Sequence, residues 1–217
     1  MKSLPNRIVH RTAPAYRQRG VVLFFALIAL VVMSLAAVAL IRSVDTSTMI
    51  AGNLAFKQSA TNSGDSGVES AIAVLAADQA AMITAGNNVL MNSTNVFNVD
   101  NPASGYYSNA DPSVILTDNT VWDAIDQSVV PEIVDQGGNR IRYVIQRMCR
   151  DANQLLRTYN CLFSSAQLDN NGQQTPLPSD VCVGSGCPAV GQSPEYRITS
   201  RTIGPGNTVS YVQAFVY

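Results

Sequence analysis

One segment of the sequence constrains the fold more than any other. Residues 21–41 form an apolar run that has no charged side chain and only one polar one, Ser34. A run of about 20 apolar residues is long enough to cross a bilayer as an α-helix, at about 1.5 Å per residue. The flank before it carries five Lys and Arg and no Asp or Glu. By the positive-inside rule, we expect residues 1–20 in the cytoplasm and the rest of the chain outside.

The part of the chain predicted to lie outside is acidic. The sequence has 217 residues, and what remains after the apolar run has the size of one domain. After residue 20, nine Lys and Arg stand against fifteen Asp and Glu, a net charge of −6. Proteins that follow a phosphate backbone use clustered Lys and Arg, so we expect no nucleic-acid partner.

The apolar run begins a longer helical pattern. From Val21 to about Ile83 apolar residues recur mostly at helical spacings, and no proline interrupts them. The pattern predicts a transmembrane or assembly helix at 21–41 and its amphipathic continuation at 42–84. Three glycines, Gly52, Gly64 and Gly67, each cost about 1 kcal/mol relative to alanine and predict a local kink or unwound turn.

After the helical pattern, the sequence predicts first a loop region and then a sheet region. Residues 85–138 are rich in Asn, Asp, Ser, Gly and Pro and predict a surface loop region, with short elements near 113–117 and 121–129. In the predicted sheet region 139–217, strand patterns cover three segments, and the turn sequence Gly-Pro-Gly-Asn predicts an antiparallel hairpin from the last two. The segments are 140–148, 195–203 and 208–217. The fold class is therefore α+β, with a long N-terminal helix packed on a C-terminal antiparallel β-sheet.

The four cysteines all lie in the last third of the chain, at Cys149, Cys161, Cys182 and Cys187. An even number of cysteines in an oxidising compartment predicts two disulfides, with three possible connectivities. We favour Cys149 with Cys161 and Cys182 with Cys187, because each pair brackets a short polar segment. A four-cysteine zinc site is the alternative, but its ligands usually come as two close pairs, and the first two cysteines here are far apart.

The residues offer little for catalysis, and we expect no enzyme activity, metal or cofactor. The sole histidine, His10, lies before the apolar run, so the outer domain has no histidine base. Asp123 and Asp126 form a possible carboxylate pair, although such a pair is usually a solvated face. The sequence Asp169-Asn170-Asn171-Gly172 differs from a calcium loop in its glycine position and predicts a turn.

Two short segments have two open interpretations. Tyr106-Tyr107 and the loop between Cys182 and Cys187 either contact a partner or surface, or, in the case of the tyrosines, cover the sheet.

Three interpretations of the apolar run also remain open from the residues alone. It is a plain membrane anchor, the spine of an assembled fibre, or a secretory signal cut after the small residues Ala37-Val38-Ala39.

The junction Arg19-Gly20, followed at once by an unbroken apolar helix, resembles the leader of type IV pilins. The segments RQRGVVLFFALIALVVMSL, MIAGNLAFKQSATNSGDSGVESAI and EYRITSRTIGPGNTVSYVQAFVY resemble minor pilins of the PilX type. Together these segments lie within about the first 80 and the last 25 residues. The resemblance implies a pilin-like fold, removal of residues 1–20 by a prepilin peptidase after Gly20, and methylation of the new N-terminus, Val21.

The resemblance also implies a place in the fibre. Most pilins carry a glutamate five residues after the cut, where this chain has Phe25. That glutamate is thought to neutralise the N-terminus of a neighbouring subunit, and an unpaired charge in a low dielectric costs several kcal/mol. A subunit with Phe25 lacks this carboxylate, as do minor pilins of the PilX type and the tip pseudopilins of type II secretion. The resemblance therefore implies a position at or near the pilus tip.

The function implied by the resemblance is a structural one: a minor pilin that primes type IV pilus assembly, with a possible role in adhesion. Its expected partners are other minor pilins, the major pilin, the prepilin peptidase and the inner-membrane assembly platform. The expected location is the bacterial inner membrane, crossed once with the C-terminal domain in the periplasm, and then the pilus surface. The alternatives are a tip pseudopilin of a type II secretion system and a membrane-anchored periplasmic binding or adhesion module.

Overall fold

The computed structural model describes residues 20–217, so most of the predicted leader, with Arg19 and His10, lies outside the described residues. Two compact units divide the chain between Ala51 and Gly52. The helix α1 runs through the first unit and into the second, and the other elements belong to the second. The elements are α1 (Val21–Thr84), β1 (Tyr106–Tyr107), α2 (Asn119–Asp123), β2 (Ile133–Val134), β3 (Arg140–Arg147), β4 (Tyr196–Gly204) and β5 (Thr208–Val216).

The helix α1 is continuous from Val21 to Thr84, so the unwound turn predicted at its glycines is absent. It ends in a Schellman motif: Gly86 has a φ of 63°, its N–H donates to the carbonyl of Ile83, and the N–H of Asn87 donates to that of Met82. These bonds satisfy carbonyls that the end of a helix otherwise leaves unpaired.

Gly64 and Gly67 have a different role from the predicted one. They are buried in the second unit with Ala60 and Ala71, on the face of α1 that packs against the sheet. A Cβ on Gly64 would lie 2.6 Å from Val212 Cγ2, and one on Gly67 would lie 2.8 Å from Ile141 Cγ2. The missing side chains therefore form notches that receive side chains of the sheet. We call Ala60, Gly64, Gly67 and Ala71 the notched seam.

The sheet follows the order β1-β3-β4-β5, and β2 also pairs with β3. Strand β4 pairs antiparallel with β3 on one side and with β5 on the other, and the predicted hairpin of β4 and β5 is confirmed, with Gly204 opposite Thr208. The sheet is mixed rather than wholly antiparallel, because β1 pairs parallel to β3 with Tyr106 opposite Ile145. The strands β1 and β2 are two residues each and lie in the region predicted as loop.

The two faces of the sheet bury different clusters. On the face toward α1, the core contains Ala71, Phe97, Tyr143, Ile145 and Ile198. On the opposite face, the segment around α2 brings Trp122 and Ile125 against Val144. The element predicted near 121–129 is the short helix α2, whereas residues 113–117 form turns.

A polar cluster joins α1 to the turn before β3. The carboxylate of Asp135 accepts hydrogen bonds from the backbone N–H of Asn139 (2.8 Å), from its side-chain amide (2.7 Å) and from the Ser63 hydroxyl. The Asn139 amide also donates to the Ser59 hydroxyl at 3.1 Å. The hydrogen bonds from Asn139 and Ser63 lower the pKa of Asp135 to about 2. We call these four residues the Asp135 cluster.

Candidate functional site

The first candidate site is the part of α1 in the first unit. Residues 21–51 are all exposed, and an 18-residue window of α1 has a mean hydropathy of 3.0 with none of it buried. A helix that is apolar on every side is stable only inside lipid or among other apolar helices. This segment is long and apolar enough to span a membrane, which agrees with the membrane-anchoring part of the predicted location.

The residues predicted for processing and assembly lie at the start of this segment. Gly20 is exposed and directly precedes α1, which begins at Val21. Phe25 is 65% exposed and its ring meets that of Phe24 edge to face, with centroids 6.5 Å apart. The first turn of α1 contains no acidic residue. The positive end of the helix dipole and any ammonium at Val21 therefore have no carboxylate from this turn.

A second exposed apolar surface lies in the second unit, on strand β5. This strand is at the edge of the sheet, and it contains neither a charged residue nor a proline. Val209, Tyr211 and Phe215 are exposed on one face of it, Phe215 to 61%. Exposed edges of natural sheets are commonly protected by charges or prolines, so an unprotected apolar edge is typical of a contact surface. We call these three residues the β5 strip.

The structure contains the two disulfides that the sequence favours. Cys149 is bonded to Cys161 and Cys182 to Cys187, with sequence separations of 12 and 5. The sulfurs are bonded to each other and are not the thiolates that a zinc site requires. All four cysteines pack in one cluster with Leu90 and Leu156. The disulfides therefore restrain the conformation of the irregular segments beside the sheet.

Sequence reasoning missed the buried arginine that organises the loops near β1. The Arg147 side chain is 0% exposed. Its guanidinium donates to the Ser108 carbonyl at 2.9 Å, to Asn98 Oδ1 at 2.7 Å and to the Gln154 carbonyl at 2.8 Å. Burial lowers the pKa of Arg147. The guanidinium of Arg147 thus holds three separate segments at the end of β3. The only sequence signal for this role is that Arg147 lies within a predicted strand.

A second buried arginine, Arg157, has a similar role in the disulfide region. Its guanidinium donates to the carbonyls of Leu90 at 2.7 Å, Leu156 at 3.0 Å and Val183 at 3.4 Å. Among residues 20–217, the only ion pairs join Glu132 to Arg140 and Arg142. The two buried arginines are therefore held by carbonyl and amide oxygens rather than by carboxylates, an arrangement typical of structural groups.

The remaining predicted candidates are local turns or core residues. Asp126 accepts hydrogen bonds from the Ser128 N–H and hydroxyl at 2.8 and 2.7 Å, and these bonds lower its pKa. Asp169 Oδ1 accepts from two backbone N–H groups, at 2.9 and 2.8 Å, as expected for a turn. Tyr106 is buried and Tyr107 half-buried, so these tyrosines cover the sheet. Asp123 lies in α2 and is exposed.

No protein-family model, curated protein or solved structure matches this chain. The pilin resemblance therefore stays a prediction that depends on the sequence segments around Gly20 and at the hairpin.

Proposed function

We propose that the protein is a non-enzymatic minor pilin of the PilX type, which primes the assembly of a type IV pilus and stays at or near the fibre tip. It is inserted in the inner membrane, cut after Gly20 and methylated at Val21. It then joins other minor pilins, and the major pilin is added below this complex.

The observation that carries the proposal is the apolar run of residues 21–41, in a stretch of α1 that is exposed throughout residues 21–51. It supports a subunit that begins in lipid and ends among parallel helices of its neighbours. The two surroundings are equally apolar, so the transfer from membrane to fibre need not expose the helix to water. A plain anchor explains the apolar character equally well, and the basic junction ending in Gly20 is what favours a processed subunit.

The position in the fibre is supported by Phe25. In a low-dielectric fibre the ammonium of one subunit needs a carboxylate from a neighbouring subunit, so repeated stacking of subunits without that carboxylate would leave charges unmatched. Phe25 provides none, and neither does the rest of the first turn of α1. The unmatched end is tolerated most easily where only one subunit of this kind is present, at the start of assembly.

The outer unit would supply the lateral contacts. The β5 strip is an apolar surface on an unprotected sheet edge, a feature typical of protein contacts. The disulfides and the buried arginines hold the loops near β1 and the end of β3 in one conformation, which lowers the entropy cost of any contact that those loops make.

The decisive experiment is the mass of the mature chain after co-expression with a prepilin peptidase. We expect loss of residues 1–20 and one added methyl group on Val21, and no cleavage in the matched variant Gly20→Val. A chain that begins at Leu40 would identify a secretory signal, and an uncut chain would identify a plain anchor. Either result refutes the proposal.

A second test addresses Phe25. In cells that make pili, the wild-type chain should be found in sheared fibres at low copy number. If the chain entered fibres only after the substitution Phe25→Glu, the tip position would be wrong.

A tip pseudopilin of a type II secretion system remains the alternative, because the acid-free first turn of α1 suits it equally. Deletion of the gene separates the two functions. Loss of surface pili with normal secretion of a folded exoprotein supports the pilus, and the reverse result supports the secretion system.

A further inference from the structure

A groove of about 620 Å³ lies in the second unit. It lies between the C-terminal part of α1, the segment that leads into β1, and the segment before β2. Its walls are mainly apolar, with Val74, Phe97, Val129 and Ile133 among them. Cavities of about 300–1,000 Å³ with apolar walls and a few polar groups are typical ligand sites.

One charged side chain lines the groove. Asp78 projects from α1 and forms no ion pair with any of residues 20–217. No Lys or Arg lines the groove. Asp78 is an exposed residue, and partial desolvation of its carboxylate raises its pKa. With one carboxylate and no Lys or Arg, the lining carries a negative charge that attracts a cation.

A second polar group faces the same space. Tyr143, from β3, is 4% exposed and lines the groove. Its hydroxyl makes no hydrogen bond to another described residue, whereas the hydroxyl of the neighbouring Tyr106 donates to the Phe97 carbonyl at 2.8 Å. The pKa of Tyr143 is raised by burial and then by the charge of Asp78, so both groups act on one space. A tyrosine hydroxyl that lines a groove and has no protein partner is available for a hydrogen bond to a ligand.

We propose that this groove binds a small apolar molecule that carries one ammonium group, with the ammonium at Asp78 and a hydrogen bond at the Tyr143 hydroxyl. An ammonium complements the single carboxylate, and an aromatic or alkyl body fits the valine and isoleucine walls. An anion is repelled by Asp78, and a neutral ligand gains no charge attraction from that carboxylate. Every lining residue belongs to Gly52–Tyr217, so the site does not depend on cleavage or on the pilus function.

The test uses the full chain in nanodiscs of neutral lipid, with the methyl groups of isoleucine and valine observed by NMR. Phenethylamine is titrated as the probe, and 2-phenylethanol serves as its neutral counterpart. We expect the amine to shift the methyl signals of Val74, Val129 and Ile133 in a saturable way, and to bind about five- to tenfold more tightly than the alcohol. The same lipid background for both probes corrects for partition into the disc.

Three variants separate the groups, and one serves as control. Asp78→Asn should remove the preference for the amine over the alcohol, while Asp65→Asn, an exposed carboxylate of α1 outside the groove, should keep it. Tyr143→Phe should weaken the amine about two- to fivefold with the preference intact. Ala73→Trp fills the groove from its helical wall and should abolish the shifts of both probes.

The proposal has clear refuting outcomes. Equal binding of amine and alcohol, or a preference that survives Asp78→Asn, would show that the carboxylate does not select the ligand. A lysine-containing apolar peptide that binds in an Asp78-dependent way, when phenethylamine does not, would replace the small molecule with a protein partner. Failure of the processing experiment at Gly20 affects none of these results.

Discussion

Alanine at Gly67 tests whether the glycines of α1 exist for close approach or for flexibility. A Cβ at this position would lie 2.8 Å from Ile141 Cγ2 and 3.0 Å from Ser200 Cβ, and closer still to the Ser200 hydroxyl. Ordinary contact between carbon atoms is about 3.5–4.0 Å. The hydroxyl can rotate away, but the two carbons sit at or next to branch points close to the backbone, so the helix itself has to move.

The expected magnitude follows from two opposing terms. Overpacking a well-filled interface costs about 1–3 kcal/mol, and the rigid neighbours of Gly67 favour the upper end. The better helix propensity of alanine returns about 1 kcal/mol, which leaves a net loss of about 2 kcal/mol. The matched control is Gly52→Ala, because nothing lies within 4 Å of a Cβ there. That substitution should raise the free energy of unfolding by up to about 1 kcal/mol.

The assay is denaturation of the full chain in detergent, followed by the fluorescence of Trp122, the only tryptophan and 0% exposed. Both substitutions reduce the entropy of the unfolded chain equally, so their difference reports the folded state. A Gly67→Ala chain as stable as Gly52→Ala, or more stable, would refute the notched seam. It would favour the original prediction that these glycines loosen the helix.

Three further predictions concern the outer unit. The pKa of Asp135 is lowered from its usual 3.8 to about 2, so its stabilising effect is complete above about pH 4 and is lost as the pH falls through 2. The difference in stability between wild type and Asp135→Asn should therefore shrink in thermal melts taken from pH 5 to pH 2. A difference that stays constant over this range would contradict the prediction. Arg147→Leu leaves three acceptors unpaired and should cost about 2–4 kcal/mol in urea denaturation, against less than about 0.5 kcal/mol for the exposed Arg150→Leu. Replacing Cys149 and Cys161 together by serine should cost about 3 kcal/mol, since their disulfide closes a loop of sequence separation 12, and an unchanged denaturation midpoint would argue against it.

The helix and the hairpin could be predicted because their signals are local. The apolar run and helical spacing of α1 span many turns, so isolated glycines did not obscure the pattern. The turn Pro205–Asn207 carries Gly206 at a φ of 69°, a conformation that its residue types favour. The strand β1 could not be predicted, because two residues have no periodicity and their partner Ile145 lies far along the chain.

The roles of the glycines and of the buried polar groups could not be predicted from local sequence patterns. Gly67 weakens an isolated helix, and only the sheet packed against it makes its missing side chain an advantage. Arg147 looks like the polar half of an alternating strand, yet its acceptors come from three distant segments. Asp78 and Tyr143 likewise line one groove although they are far apart in the sequence. Such contacts depend on tertiary packing. No short segment of the sequence contains a pattern that predicts them.

The notched seam also determines how the outer unit responds to mechanical load. Side chains of Val212 and Ile141 fill the gaps at Gly64 and Gly67, so a shift of the helix along its axis removes the fit between these side chains and the glycines. Sliding along the sheet therefore costs packing energy. The hydrogen bonds from Ser63 to Asp135 and from Asn139 to Ser59 and Ser63 also link the helix to the turn before β3 and oppose their separation. Tension on this part of the helix therefore reaches the sheet through these side chains and hydrogen bonds, and a change of register is disfavoured.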